Sequence, residues 1–549
     1  MLIGAAAEMF TIGAVVPFLG MLVKPQMLDQ HPGIVAFLAA LAEISGWDRL
    51  KASVAVFCVI ATITAGLRLL LNWAGQRYVF AVGADLAKEL YSITLRQSYL
   101  YHMSRNSAET MASIDKVGQL VMGVMVPCMQ ALIALVMVLT IFSAMLWVNV
   151  GASLSTALVF GGMYLVINLR AKKILHANGK IISENATQKF KALQEGLGGI
   201  RDVILSRSYD IHVNNFSVAD RKQRTAQAIN AVLAASPKYL VESVGMIMIV
   251  LMAYYMTMQD GVEQAIATLG VLAIGAQRLL PYMQTLYGSY ASAKGNLPAS
   301  QEVMRLIHLR DTQLSAEVSS PVSHFSGLAS IETQGVSFSY DSNRQILSGV
   351  DLVIRSGERV GLVGVTGGGK STLIDILTGL VGPQHGRVLV DGIELNERNI
   401  PEWQRNIAYV PQSIFLLDAS IEENIVLGGG QGVDAARLKR ALTLSQLDEV
   451  VEKLPAGLQT RVGERGVQLS GGQRQRIGIA RALYREAKML VLDEATSALD
   501  SETEKKVMEG IYQLRSDMII LMIAHRLSTL DQCTAIYEVG GGGIRATQL

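Results

Sequence analysis

Cysteine is nearly absent from this chain of 549 residues. Only Cys58, Cys128 and Cys533 are present, two in apolar runs and one in a more polar half. They cannot build a disulfide framework, a Cys/His zinc cluster or a redox pair, and they read as small packing residues. A dominant charge is missing too. Acids and bases nearly cancel at +2, so only the placement of charge is informative, and no nucleic-acid partner is expected. Nor does the start of the chain read as a cleavable leader. The first apolar run, residues 2–23, is too long for one, no basic segment precedes it, and Glu8 interrupts it.

Apolar residues are abundant: half of the chain is hydrophobic, with a mean hydropathy of +0.33. That value averages two unlike parts. Long apolar runs fill the chain up to about residue 297, and from residue 319 onward it reads as an ordinary α/β domain. Two domains are expected from length alone. We place an all-α transmembrane domain at 1–305, a linker at 306–328, and a P-loop nucleotide-binding domain at 329–549.

A spanning helix needs about 20 mostly apolar residues. Six runs qualify: 2–23, 54–81, 117–147, 150–169, 239–258 and 265–287. Pro17, Pro127 and Pro281 lie inside them, where kinks are expected. The link 82–116 carries Lys88, Arg96, Arg105 and Lys116, and the link 170–235 carries eleven basic residues. The turns near Asn149 and at 259–264 carry none. The two basic links therefore face the cytosol, together with both chain ends. Their helical spacing, as in Leu86, Leu90 and Ile93, suggests spanning helices continued beyond the membrane. Short connectors near 98–104 and 209–216 would join them and press on the nucleotide domain, unless these links are simply solvated charged loops. Residues 33–44 fit an amphipathic helix on the outer membrane face, or a helix packed on the protein.

In the C-terminal part, the apolar run 359–364 leads into Gly364-Val365-Thr366-Gly367-Gly368-Gly369-Lys370-Ser371-Thr372 and then a helical pattern. Strand, glycine loop and helix in that order make a P-loop. The glycines let backbone N–H groups approach phosphates, and the helix N-terminus adds positive dipole. Lys370 would neutralise β/γ-phosphate charge and Ser371 would hold Mg²⁺. A second apolar strand, 489–492, ends in Asp493 and Glu494. Asp493 suits the Mg²⁺ shell, and Glu494 suits the general base for the attacking water. A third strand, 518–524, ends in His525, where α/β sheets gather ligand groups.

Three further elements settle the class. Leu469-Ser470-Gly471-Gly472-Gln473 opens a helix, Gln412 follows Tyr409-Val410-Pro411, and Ser497-Ala498-Leu499-Asp500 follows Glu494 closely. Here the chain resembles the ATP-binding-cassette family over essentially its whole length. The resemblance implies ATP and Mg²⁺ as ligands, and a nucleotide sandwiched between two copies. Ser470 and Gly472 of one copy, within the signature run Ser470–Gln473, would contact the γ-phosphate held by Lys370 of the other. It further implies that Gln412 senses Mg²⁺, that Asp500 links the two sites, and that His525 contacts the γ-phosphate. Tyr340 matches the adenine-stacking aromatic. With one cassette per chain, the expected partner is a second copy of itself, with a heterodimer as the alternative. Exporters of this kind usually have a cytosolic stretch before the first span, and cassettes usually continue past the strand after His525. This chain departs from that pattern at both ends, which leaves natural and clipped ends both open.

Spans preceding the cassette on one chain look like an exporter, in a bacterial inner membrane with its nucleotide domain in the cytosol. Glu8, Arg68, Glu242 and Arg278 stand inside the predicted spans, with Arg77 near the end of the second. They either pair across helices or line a cavity. In the second case Arg68 and Arg278 suit the phosphates of an amphipathic, lipid-linked substrate. Short stretches around Arg68, Tyr101 and Arg278 resemble flippases of lipid-linked oligosaccharides. Multidrug, lipid A and peptide exporters are alternatives, as is an ATP-gated channel or regulator, although the intact Glu494 and Ser470–Gln473 favour turnover.

Overall fold

Apolar residues that recur all around a helix, with no polar face, suit lipid better than water. The first described long helix, α1 (Arg49–Leu95), is of this kind. Its Ile63, Leu69, Leu70 and Trp73 are exposed, which is unfavourable in water and favourable in a bilayer. The computed structural model describes residues 40, 43, 44, 46, 48–148, 150–260, 262–317, 325, 327–340, 344–427, 432–524 and 527–547. The chain divides into two units, one of Met1–Gln97 with His102–Thr312, the other of Gln313–Leu549 with Ser98–Tyr101.

In the first unit, α1 is followed by α2 (Tyr99–Ser104), α3 (Ser107–Leu120), a π-helical turn (Val121–Met125) and α4 (Val126–Val148). Next come α5 (Val150–Gly198), α6 (Ile200–Ser206), α7 (Tyr209–Asp260) and α8 (Val262–Glu317). Among the described residues, four segments are long and apolar enough to cross a membrane: Lys51–Leu95, Ser107–Ser143, Ser153–Gly198 and Tyr209–Tyr255. The expected span at 2–23, with Glu8 and Pro17, lies outside the described residues, as does nearly all of the expected helix at 33–44. The sixth expected span falls on α8. The spanning helices do run on past their apolar segments, since α5, α7 and α8 are 49, 52 and 56 residues long.

One connector falls where expected, as α2. The other does not: residues 209–216 are the opening turns of α7, and the short helix is α6, eight or nine residues earlier. Gly198 and Gly199 interrupt α5 there, and Arg207 closes α6 at φ +52°. Glycine breaks helices cheaply, whereas 209–216 contains no breaker. Pro127 is accommodated by the π turn just before it, where Val126 N–H reaches back to the Val121 carbonyl. The basic residue Lys116 is only 1% exposed. Its Nζ donates to Glu302 Oε2 on α8 (2.6 Å) and to Thr187 Oγ1 on α5 (3.2 Å), so it binds three helices together.

In the second unit two sheets share a core. Strands β1 (Ser330–Ser339), β2 (Gln345–Arg355), β4 (His385–Val390) and β5 (Ile393–Glu394) form an antiparallel sheet in the order β2-β1-β4-β5. The larger sheet takes β3 (Arg359–Val363), β6 (Ile407–Val410), β7 (Met489–Asp493), β8 (Ile519–Ile523), β9 (Ala535–Gly540) and β10 (Gly543–Thr547) in the order β10-β9-β3-β8-β7-β6. All its pairings are parallel except β9 with β10. Unbroken apolar runs in β7 and β8 are explained by burial on both faces. Met489, Val491, Ile519 and Leu521 enter the core shared with the small sheet, and Leu490, Leu492, Ile520 and Met522 enter the opposite one. A third cluster, including Leu438, Leu469, Ile477 and Tyr484, packs the helical region that carries the signature motif.

Candidate functional site

The loop from β3 into helix α9 (Lys370–Leu377) depends on glycine. Gly364 and Gly369 adopt φ +135° and +104°, a region in which side chains are strained. A Cβ on Gly364 would also collide with the Val539 carbonyl of β9. The loop thus lies tight against β9 and leaves Thr366 and Gly367 exposed, with Gly368 half-buried. Ser371 and Thr372 occupy the first turn of α9, where backbone N–H groups have no partner within the helix. Lys370 is buried, and its Nζ donates to the carbonyls of Gly364 (2.8 Å) and Val365 (3.0 Å). Its ammonium already sits over the loop that would cradle phosphate.

The adjacent strand ends supply the acids. Glu494, just after β7, is held at φ +50°, a left-handed conformation costing about 1–2 kcal/mol for a residue with a Cβ. Its N–H donates to the Ile523 carbonyl of β8 (3.0 Å). Gln412, two residues beyond β6, donates its Nε2 to Glu494 Oε2 at 2.6 Å. Asp493 accepts a hydrogen bond from the Tyr409 hydroxyl (3.0 Å). Burial pushes the Asp493 carboxyl above the usual range, with Tyr409 and Lys370 opposing the shift and Glu494 adding to it. Tyr409 is itself raised, by burial and then by Asp493. On α9, burial and the charge of Asp493 push Asp375 up to about 6. Asp493 thus feels the charges of both Glu494 and Lys370, and Asp375 feels that of Asp493. The Asp493 carboxylate, Ser371 hydroxyl and Gln412 amide oxygen are the hard donors Mg²⁺ prefers, its shell being completed by phosphate and water.

Ser470 is the N-cap of α14 (Gly471–Tyr484), counting helices onward from α10 (Ile400–Arg405), α11 (Ile421–Val426), α12 (Ala435–Leu444) and α13 (Asp448–Glu452). A capping box fixes it: Gln473 N–H donates to Ser470 Oγ (3.2 Å), and Ser470 N–H to Gln473 Oε1 (2.8 Å). Buried Leu469 anchors this turn, and Gly471 and Gly472 leave room for Ala498 to approach. Gln475 ties the two together, donating to Ser497 Oγ (3.0 Å) and accepting from Ala498 N–H (2.8 Å). Asp500 caps α15 (Ser501–Tyr512) through the Thr503 N–H (2.9 Å). Tyr340 is 45% exposed, packs edge-on to Phe338 (4.9 Å), and has its hydroxyl 3.3 Å from Thr372 Oγ1.

The P-loop, Asp493, Glu494, Gln412 and Tyr340 thus converge on one end of the sheet. Ser470 and Gln473 hydrogen-bond each other and not that loop among the described residues. His525 lies outside the described residues. Arg68 is half-buried on α1 and Arg278 exposed on α8, in the other unit. Sequence reasoning missed Asp375, Tyr409 and Gln475. A helical wheel could have found Asp375, four residues after Ser371 on the same face. No sequence signal singled out Gln475.

A family model described as "ABC transporter" matches residues 347–497. The heterocyst differentiation ATP-binding protein HepA of Nostoc sp. is 28% identical, covering 99% of this chain and 88% of that protein. An ATP-dependent lipid A-core flippase of Alcanivorax borkumensis is 30% identical over 86% of this chain and 80% of its own length. The structure of a bacterial Atm1-family ABC exporter with ATP bound superposes with a TM-score of 0.78 at 22% identity, covering 97% of this chain and 93% of the other.

Proposed function

Because this chain belongs to the ATP-binding-cassette transporter family and is an integral membrane ATPase of the exporter type, we propose that two copies pair to move an amphipathic anionic lipid, such as a lipid-linked oligosaccharide, across a bacterial inner membrane. The nucleotide domains face the cytosol. In each composite site Lys370 gives up its carbonyl partners for the β- and γ-phosphates, and Ser470 and Gly472 of the second copy close on the γ-phosphate. Tyr340 stacks on adenine, and Asp500 and His525 complete the shared site. Ser371, Asp493 and Gln412 hold Mg²⁺, which when bound offsets phosphate charge. Glu494, oriented by Gln412, takes a proton from water as the water oxygen bonds to the γ-phosphorus and the β–γ bridge breaks.

The cargo reading is carried by one observation: two guanidinium groups, Arg68 and Arg278, stand within apolar stretches of α1 and α8. Arginine stays charged and grips phosphate bidentately. Two relatives are named, in their own right, ATP-dependent lipid A-core flippases. The test is ATP hydrolysis in lipid vesicles with added polyprenyl-pyrophosphate lipids. Wild type should be stimulated, and Arg68→Ala with Arg278→Ala should lose that stimulation relative to its own basal rate. If the variant instead fails to fold, and removal of the Glu242 carboxylate rescues both folding and lipid stimulation, the arginines are structural and the cargo reading falls.

A further inference from the structure

Arg68 and Arg278 account for charge only; a second place in the membrane unit offers hydrogen bonds without charge. A cavity of about 320 Å³ opens between α3, α5, α7 and α8. Its polar wall is Gln119, Gln227, Asn230, Ser292 and Asn296, and no acidic or basic side chain lines it. We propose that this cavity binds the hydroxyl-rich, carbohydrate part of the cargo headgroup. The proposal rests on the lipid-cargo reading above and deepens it.

The walls are fixed by their own contacts. Asn178 Nδ2 donates to Asn230 Oδ1 (2.8 Å), Ser292 Oγ to the Gly123 carbonyl (2.8 Å), and Asn296 Nδ2 to the Ser292 carbonyl (2.8 Å). Gly179 and Gly295 bring the α5 and α8 backbones into direct contact, which a Cβ on Gly179 would prevent. Gln119 and Gln227 make no hydrogen bond among the described residues, so both amides keep two donors and an acceptor to offer.

Mixed donors and acceptors without charge select the ligand. A phosphate needs donors and positive charge, and an alkyl chain would strip these amides of water and return nothing. A sugar hydroxyl both gives and accepts, as the amides do. Arg278 precedes Ser292 by 14 residues on α8, about 21 Å along a helix. Phosphate and sugar sites are therefore separable, as they are on the cargo.

The test uses the full chain in vesicles, with Cys58, Cys128 and Cys533 replaced by serine and Ala231→Cys introduced in the cavity wall. Maleimide labelling is timed with a polyprenyl pyrophosphate carrying an oligosaccharide, or with the same lipid lacking sugar. At ten times its Kd the glycosylated lipid should slow labelling roughly tenfold, and the bare lipid should not. In a second measurement, Gln119→Leu with Gln227→Leu should raise the half-maximal concentration for ATPase stimulation by the glycosylated lipid roughly tenfold, and leave that for bare lipid unmoved. Equal protection by both lipids, or none by the glycosylated one, overturns the cavity. If neither lipid stimulates hydrolysis but a water-soluble oligosaccharide still protects Ala231→Cys, the cavity stands and the lipid reading fails.

Discussion

Glu494 is the residue on which chemistry and backbone agree most closely. A left-handed φ in a residue with a Cβ persists only where the surroundings impose it, and here the Ile523 carbonyl and the Gln412 amide both do so. Glu494→Gln should still bind ATP, because Lys370 and its loop are untouched, yet lose roughly 10²–10⁴-fold in phosphate release. Near-normal turnover would remove Glu494 from the role of base. Asp375 makes a pH prediction. Its carboxyl is raised to about 6 in the fold, so ionisation works against the native state. That penalty is absent below about pH 4, where folded and unfolded carboxyls are both protonated, and it grows until about pH 6. In nucleotide-free protein with chelator, Asp375→Asn should raise Tm at pH 7.5 and hardly move it at pH 4; equal shifts at both would refute the assignment. Lys370, Asp493 and Glu494 were legible in the sequence because a short run of neighbours defines each role. Asp375 and Tyr409 were not, since their importance comes from meeting Asp493 across separate elements.

At the level of elements, length and apolarity predict helices well and their interruptions poorly. The connector placed at 209–216 was displaced because two adjacent glycines, not a run of polar residues, end α5. Lys116 shows a related weakness: in sequence it counts as one more charge of a basic link, but in the fold it is enclosed by α3, α5 and α8. Burial alone would raise Glu302, but the Lys116 hydrogen bond and charge, helped by Ser113, pull it below the usual range. The pair therefore stabilises above the ordinary carboxylate range and weakens only as acid titrates Glu302 through its lowered value. Lys116→Met should cost about 1–3 kcal/mol, because it leaves Glu302 without its cation. Adding Glu302→Gln should recover part of that in denaturant titrations. If the two losses simply add, the pair is not coupled. The start of α2 belongs with the second unit, which includes Ser98–Tyr101. Burial and then Asp375 and Tyr340 raise the Tyr99 phenol, so Tyr99 is the connector residue to test for coupling. Tyr99→Ala should lower the stimulation of hydrolysis by lipid more than it lowers the rate without lipid.

For the whole molecule, the two-part division was readable from hydropathy, whereas the pairing of the signature run with a second copy's P-loop came only from the family resemblance. A cysteine at Ser470 and another at Gly367 should cross-link between chains, and faster with ATP present. Cross-links confined to single chains on a denaturing gel would rule out the shared site. The capping box has a further consequence. Because the Gln473 N–H already occupies Ser470 Oγ as an acceptor, what that hydroxyl has left to offer a phosphate is its proton, and in the proposed pair that phosphate arrives on a different chain. Turnover per chain should then depend on crowding in the bilayer: dilution with excess lipid slows each chain, as in any second-order encounter, until too few pairs form for hydrolysis to be seen.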